Sequence, residues 1–246
     1  MPLAENQLLA GLPRQDRLRL VSMSDSVELV RGEVLCEAGD ALRHVHFPRH
    51  GCLSLVAVID DGAALEVGMI GREGMLGAQL ALGLDTCPLR VLVQGAGAAR
   101  RIGVAAFCRV LAEVPALQVS LNRYLFVLMV QLATSVACTR YHHVGPRLAR
   151  QLLMSHDRAQ TDRFHLTHAF LADMLGVRRV GITGAAGELQ RLGLIRYHRG
   201  EITVVDRLGL ERVACSCYGA DCRAYAQQLG QPPVACVDAA LTPSLP

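Results

Sequence analysis

The chain has 246 residues, 51% of them apolar, and a formal net charge of +3. That is enough to bury one large core or two smaller ones. With no Trp and only 4% aromatic residues, the core is built from Leu, Val and Ala; every one of the 25 basic residues is Arg, which excludes a lysine-bearing phosphate loop.

The charge is unevenly spread. Residues 1–115 hold 11 Arg against 13 acids, 116–146 two Arg and no acid, 147–212 11 Arg against seven acids, and the remainder one Arg against two acids. A polyanion is therefore the expected partner of the third segment. Nine cysteines form no even disulfide framework, and "MPLAENQLLAGLP" lacks a basic region followed by a long apolar core. A reducing, cytoplasmic setting is expected.

Residues 5–21 read as a short amphipathic helix carrying Leu8, Leu9, Leu12, Leu18 and Val21. From Ser26 to about Gly103 the period changes to short apolar runs: "VELV", "HVHFP", "CLSLVAVI", "ALEVGMI", "LRVLVQG" and "ARRIGV". Gly, Asp and Pro interrupt them, with turn signals at 31–32, 38–40, 49–51 and 60–62, the pattern of an antiparallel sandwich or barrel. A long apolar helix follows, started by Pro115 and stopped at Gly145-Pro146. Leu121, Tyr124, Leu125, Leu128, Leu132 and Val136 recur along it at helical steps and are the expected dimerisation seam. A membrane span is the rival reading, but the uncharged run from Tyr124 to Thr139 is short for a bilayer and holds Gln131, Thr134 and Ser135. The last third reads helix, helix, helix, then a hairpin around Arg199-Gly200.

The stretch "VRRVGITGAAGELQRLG" (177–193) poses the functional question. Its glycines at 181, 184 and 187 are spaced G-x-x-G-x-x-G rather than G-x-G-x-x-G, and the preceding "FLADMLG" has helical period, so a dinucleotide loop is not supported. A helix-turn-helix accounts for more residues. Thr167 can cap the first helix, and Gly176 can turn the chain at its end. Leu171, Leu175, Val177, Ile182, Ala186, Leu189 and Leu192 fall where two crossing helices bury side chains. Arg178, Arg179, Gly181 and Thr183 then stand at the end of a helix that meets base edges. Thr167, His168, His198 and Arg199 are placed to meet the DNA backbone.

Through "FPRHGCLSLV" (47–56), "IGREGMLG" (70–77) and, most specifically, residues 166–206, the chain resembles the Crp/Fnr family of bacterial transcription regulators. The resemblance implies an α+β fold. It comprises an N-terminal double-stranded β-helix or jelly-roll sensor domain of the cyclic-nucleotide-binding type (1–114), a dimerisation helix (115–145) and a winged helix-turn-helix (146–214). A Cys-containing tail (215–246) follows. It also implies a homodimer rather than an enzyme, binding near-palindromic double-stranded DNA, with RNA polymerase and an unidentified small effector as further partners and no cofactor.

The family's cyclic-nucleotide signature is not kept. Where a ribose-binding Glu follows Gly in that signature, Gly71-Arg72-Glu73-Gly74 carries Arg72, and Arg90 is the only candidate near the phosphate-binding position. Gly71, Arg72, Glu73, Gly74 and Arg90 are thus the candidate ligand site, and no cyclic AMP response is expected. An N-terminal cysteine run for an iron–sulfur cluster is missing as well. Cys215, Cys217 and Cys222 are the clustered thiols, with Cys236 beyond, open to metal or redox chemistry. Two rival readings stand beside the regulator: a cupin-like metalloenzyme using His44, His46 and His50, and a ligand-binding module that does not bind DNA.

Overall fold

The computed structural model of the protein describes residues 5–59 and 62–230; Cys236 lies outside them. Two short helices open the chain, α1 (Gln7–Ala10) and α2 (Arg14–Ser22). The single helix expected over 5–21 is broken because Pro13 stands at the N-cap of α2, between the two. Leu18 consequently turns outward, and Leu20 takes its place in the core. Asn6 accepts from the N–H groups of Leu8 and Leu9 as N-cap, while its Nδ2 donates to the Pro48 and Gly74 carbonyls at 2.9 and 2.8 Å.

The β-roll consists of β1 (Asp25–Leu29), β2 (Val34–Cys36), β3 (His44–Val58), β4 (Ala64–Ile70) and β5 (Arg90–Gly103). Its antiparallel order is β1-β5-β3-β4, with β2 also on β5. The runs "HVHFP" and "CLSLVAVI", expected as two strands joined by a turn, are one bulged strand, as are "LRVLVQG" and "ARRIGV". The register of β3 on β5 slips between Pro48 and Leu53, and a bulged strand bends. Glycine permits the bend. Gly51 sits at φ +80°, and a Cβ on Gly97 would lie 2.1 Å from the His50 carbonyl oxygen. Cys36 and Cys87 are joined by a disulfide, a pairing the sequence reading did not anticipate. Cys52, Cys108, Cys138, Cys215 and Cys217 are free.

After α3 (Val104–Glu113) comes α4 (Pro115–Tyr141), begun by Pro115 as expected. It ends before Gly145-Pro146, which instead lie in the first turn of α5 (Val144–Ala159), where a proline costs no hydrogen bond. By length and apolarity α4 could cross a membrane. Its inner face is nevertheless packed on protein: Leu117, Leu121, Tyr124 and Val127 join the β-roll core, and Gln131 accepts from the Met69 N–H at 2.9 Å.

The C-terminal part contains β6 (Arg163–His165), α6 (His168–Leu175), α7 (Arg179–Arg191), β7 (Ile195–His198), β8 (Glu201–Val204) and α8 (Arg207–Val213). The strands pair in the order β6-β8-β7. The segment expected as a tail is corrected over its described part. There Cys217–Leu229 forms α9, packs on α4 and places Tyr225 in the β-roll core. The C-terminal part is thus tied back to the N-terminal one through buried polar contacts. Arg158 pairs with Glu73 at 2.8 Å with both side chains at most 2% exposed, and Gln151 donates to Glu66 at 2.6 Å, while Arg150 pairs with Asp221 at 2.6 Å to hold α5 against α9.

Candidate nucleic-acid interface

Helix α6 begins at Thr167, whose hydroxyl accepts from the Phe170 N–H at 3.1 Å, and ends at Gly176 in the left-handed conformation. Both devices are the ones the sequence offers. Helix α7 crosses it and buries Ile182, Ala186 and Leu189 against Leu171 and Leu175. Val177 is half-buried and Leu192 is exposed, so the expected apolar set is met except at its last member.

The outer face of α7 is left to solvent. Arg178, Arg179, Thr183, Gly184, Gly187, Glu188 and Arg191 are exposed, and Val180, which the sequence reading missed, is 76% exposed. Next to Arg179 at the helix start, an isopropyl group largely open to solvent suits the methyl of thymine. Gly181 is half-buried, and a Cβ there would stand 4.0 Å from Val144 Cγ2, whereas one on Gly184 or Gly187 would meet nothing within 4 Å. The close approach that these glycines permit is therefore outward.

The hairpin of β7 and β8 lies beside this face. Its turn is Arg199 at φ +50° and Gly200 at φ +86°, the left-handed pair of a tight hairpin. His198 and Arg199 are exposed there, and so is Arg196. The Tyr197 N–H donates to Gln190 Oε1 at 2.8 Å, which ties the hairpin to α7. Among the described residues Arg178, Arg179, Arg196 and Arg199 face no carboxylate, whereas Arg191 is held by Glu188 at 2.6 Å and Arg163 by Glu201 at 3.2 Å. Four unpaired guanidinium groups on one face form a surface for phosphate and guanine.

His168 is engaged within the protein. Its ring stacks on Tyr197 with centroids 4.0 Å apart, and its Nδ1 lies 3.1 Å from Thr183 Oγ1. The Thr183 hydroxyl donates to the Arg179 carbonyl at 3.1 Å, so Nδ1 of His168 must carry the proton that joins the two side chains. Burial, with the charge of Arg179, lowers the imidazole pKa. His168 thus links α7, through Thr183, to Tyr197 of the hairpin.

The candidate ligand residues are not drawn into a common pocket. Glu73 accepts from the Gly71 N–H and from Arg158. A Cβ on Gly71 would lie 2.6 Å from Arg158 Cγ, and one on Gly74 2.2 Å from the Tyr124 hydroxyl. The Arg72 carbonyl accepts from the Gln7 N–H, and Arg90 is at the surface on Glu37. His46 stands beside His44 as strand alternation requires, ring centroids 6.4 Å apart. Burial first, then the charges of His44 and Arg101, bring His46 down to about 4. Among the described residues no metal-competent donor set includes His44, His46 or His50. The one set that exists is Cys138, His142, Cys215 and Cys217. Cys222, expected with the last two, is engaged in a disulfide instead.

The residues expected as the seam on α4 are divided between its covered and its outer side. Leu121 and Tyr124 are fully buried within the protomer, and Leu125, Leu128 and Leu132 pack partly against its core. Of the expected residues only Val136 is exposed; it shares the outer face with Val119, Asn122, Phe126, Met129 and Ala133. These recur at alternating steps of three and four, the spacing of a coiled-coil seam.

Residues 146–213 match the model of the Crp-like helix-turn-helix domain. No curated protein sequence matches the chain. Solved structures share its fold over most of its length. A Crp/Fnr-family transcriptional regulator from Eubacterium rectale is 16% identical, with TM-score 0.61, over 85% of this chain and 99% of that one. The c-di-GMP-responsive global regulator of Xanthomonas campestris is 16% identical, with TM-score 0.61, over 78% and 99%. A Crp/Fnr-family regulator from Thermus thermophilus is 20% identical, with TM-score 0.61, over 77% and 98%. The fold is that of the Crp/Fnr regulators, and the resemblance carried by residues 166–206 coincides with the matched domain.

Proposed function

We infer that this chain, a Crp-like helix-turn-helix domain set in a Crp/Fnr fold, is a cytoplasmic homodimeric transcription regulator that binds double-stranded DNA. The observation that carries the reading is the solvent face of α7 and its hairpin, where Arg178, Arg179, Val180, Thr183, Arg196 and Arg199 stand exposed without carboxylate partners. Arg178, Arg179, Val180 and Thr183 enter the major groove, with the bare backbone at Gly181 and Gly184 allowing close approach. Thr167, His198 and Arg199 meet backbone phosphates, and Arg196, on the same hairpin, joins them. His168 acts through Thr183.

A second copy covers the outer face of α4. Val119, Phe126, Met129 and Val136 form an apolar stripe on a helix whose other side is already occupied, and two such stripes complete a coiled-coil core. The dimer would present its two α7 helices to successive major grooves about 34–36 Å apart. Cyclic AMP is not the effector. Glu73 is committed to Arg158, and Tyr124 fills the space over Gly74.

Selection of bound duplexes from a random pool tests the reading. Enrichment of a two-fold symmetric sequence, unaffected by cyclic AMP, is expected; no enrichment of any duplex would remove DNA binding. On sizing, Phe126→Glu should convert dimers to monomers, and a persistent dimer would place the seam elsewhere.

A further inference from the structure

The end of α4 and the start of α9 bring together side chains that DNA binding does not use. Cys138 and His142 are four residues apart and share one side of a helix end. Cys215 and Cys217 flank Ser216, the N-cap of α9, and the Cys215 N–H is anchored to the Pro146 carbonyl at 3.3 Å. One donor atom from each of the four lies within 4.8 Å of every other. Cys138 Sγ is 3.5 Å from Cys215 Sγ, and Cys217 Sγ is 3.5 Å from His142 Nδ1.

These distances are those of a coordination shell. Ligands about 2.3 Å (sulfur) and 2.1 Å (nitrogen) from a tetrahedral ion stand roughly 3.5–3.8 Å from one another. Three thiols and an imidazole, with no carboxylate among them, form a soft donor set that suits zinc and not magnesium or calcium. Four protein donors would fill a tetrahedral shell, as in a structural site, and the three cysteines are buried with His142 half-buried.

A second observation concerns charge. Arg147 is buried, donates to the Leu175 carbonyl, and faces no carboxylate among the described residues. It lines a small cavity together with Cys138, Arg150 and Glu66; Arg150 is paired with Asp221, and the Glu66 carboxylate accepts from Ser54 and Gln151 rather than from Arg147. A buried guanidinium without a counter-charge is costly. Three thiolates around a divalent cation carry one net negative charge at the place where Arg147 lacks one.

We propose that Cys138, His142, Cys215 and Cys217 form a Cys3His zinc site that fastens the end of α4 to the start of α9. Zinc replaces the three thiol protons, which leave to solvent, and no electrons move. The site then joins the helix carrying the outer stripe to the helix that directly follows the matched helix-turn-helix domain, fixing how one is set against the other.

The test uses the full chain, purified under reducing conditions without a polyhistidine tag. Elemental analysis should find one zinc per chain. Replacement by Co2+ should give thiolate-to-cobalt charge-transfer bands and the intense visible bands of a tetrahedral ion. The double variant Cys138→Ser/Cys217→Ser should fall to near none, while Cys108→Ser keeps its full equivalent. A reduced wild-type chain with no zinc and no thiolate bands on cobalt addition would overturn the proposal. So would a Cys138–Cys215 disulfide in freshly prepared protein, or a double variant that retains its metal. The cobalt spectrum of the unaltered chain decides the matter even where a variant fails to fold, and no readout involves DNA.

Discussion

Two glycine-bearing regions do opposite things in this molecule. At the turn from Gly71 to Gly74, a methyl group on either glycine would run into Arg158 or Tyr124; on α7, one at Gly184 or Gly187 would meet nothing within 4 Å. In the first region the missing side chain lets the protein close on itself, so a turn resembling a ligand signature is taken up by the junction between its halves. In the second it leaves backbone bare on the face turned to solvent. Glycine spacing alone does not distinguish these uses; what stands opposite does.

Gly74→Ala attacks the inward use most directly. With the Tyr124 ring carbon 2.5 Å and its hydroxyl 2.2 Å from the new Cβ on a rigid helix, a loss of roughly 3 kcal/mol in urea unfolding is expected. Adding Tyr124→Phe should return part of it, and equal losses in the single and double variants would show that the hydroxyl is not what the methyl meets.

The same turn carries a pH dependence. Leu76 and His46 exchange backbone hydrogen bonds at 2.9 and 3.1 Å, and the His46 imidazole is buried with a pKa of about 4. Between its ordinary value of 6.5 and about 4, the unfolded chain binds a proton that the folded one does not. Stability from this group is therefore complete above the ordinary value and falls as pH drops through that window, by at most about 3 kcal/mol. His46→Gln should flatten that part of the urea-midpoint profile; an unchanged slope would assign it to other groups.

On the outward side, Arg179→Ala should weaken binding to the selected duplex by about 1–3 kcal/mol if the guanidinium reads a base. Measured by fluorescence anisotropy, an equal loss on unrelated DNA would place Arg179 on phosphate instead. The smallest change is the sharpest for the comparison. Gly184→Ala should raise stability by about 1 kcal/mol, since alanine is the better helix former and the space is open, while lowering DNA affinity. A stabilised variant with undiminished affinity would mean that the bare backbone at 184 does not approach DNA.

The helix-turn-helix was legible because its signals are local. Thr167 caps the helix that its own hydroxyl begins, Gly176 turns the chain where it stands, and Arg199-Gly200 makes the hairpin its dipeptide predicts. Val180 was passed over because an apolar residue in an amphipathic helix reads as core until its facing is known. The residues expected as the seam on α4 mix covered and exposed positions for a related reason. That helix is apolar on several sides, so periodicity offered more than one stripe, and the β-roll and α9 decided which one is covered.

By itself, then, the sequence determined the broad order of β-rich segment, long helix, helix-turn-helix and hairpin, the capping and turning residues of the last two, and the basic character of the segment after residue 146. Those depend on neighbours within about one helical turn or one hairpin. Only the tertiary structure decided that Glu73 belongs to Arg158, that β3 and β5 run unbroken through their bulges, and that Cys138 and His142 meet Cys215 and Cys217. These groupings join residues far apart in the chain, and no local periodicity encodes which distant side chain will stand opposite.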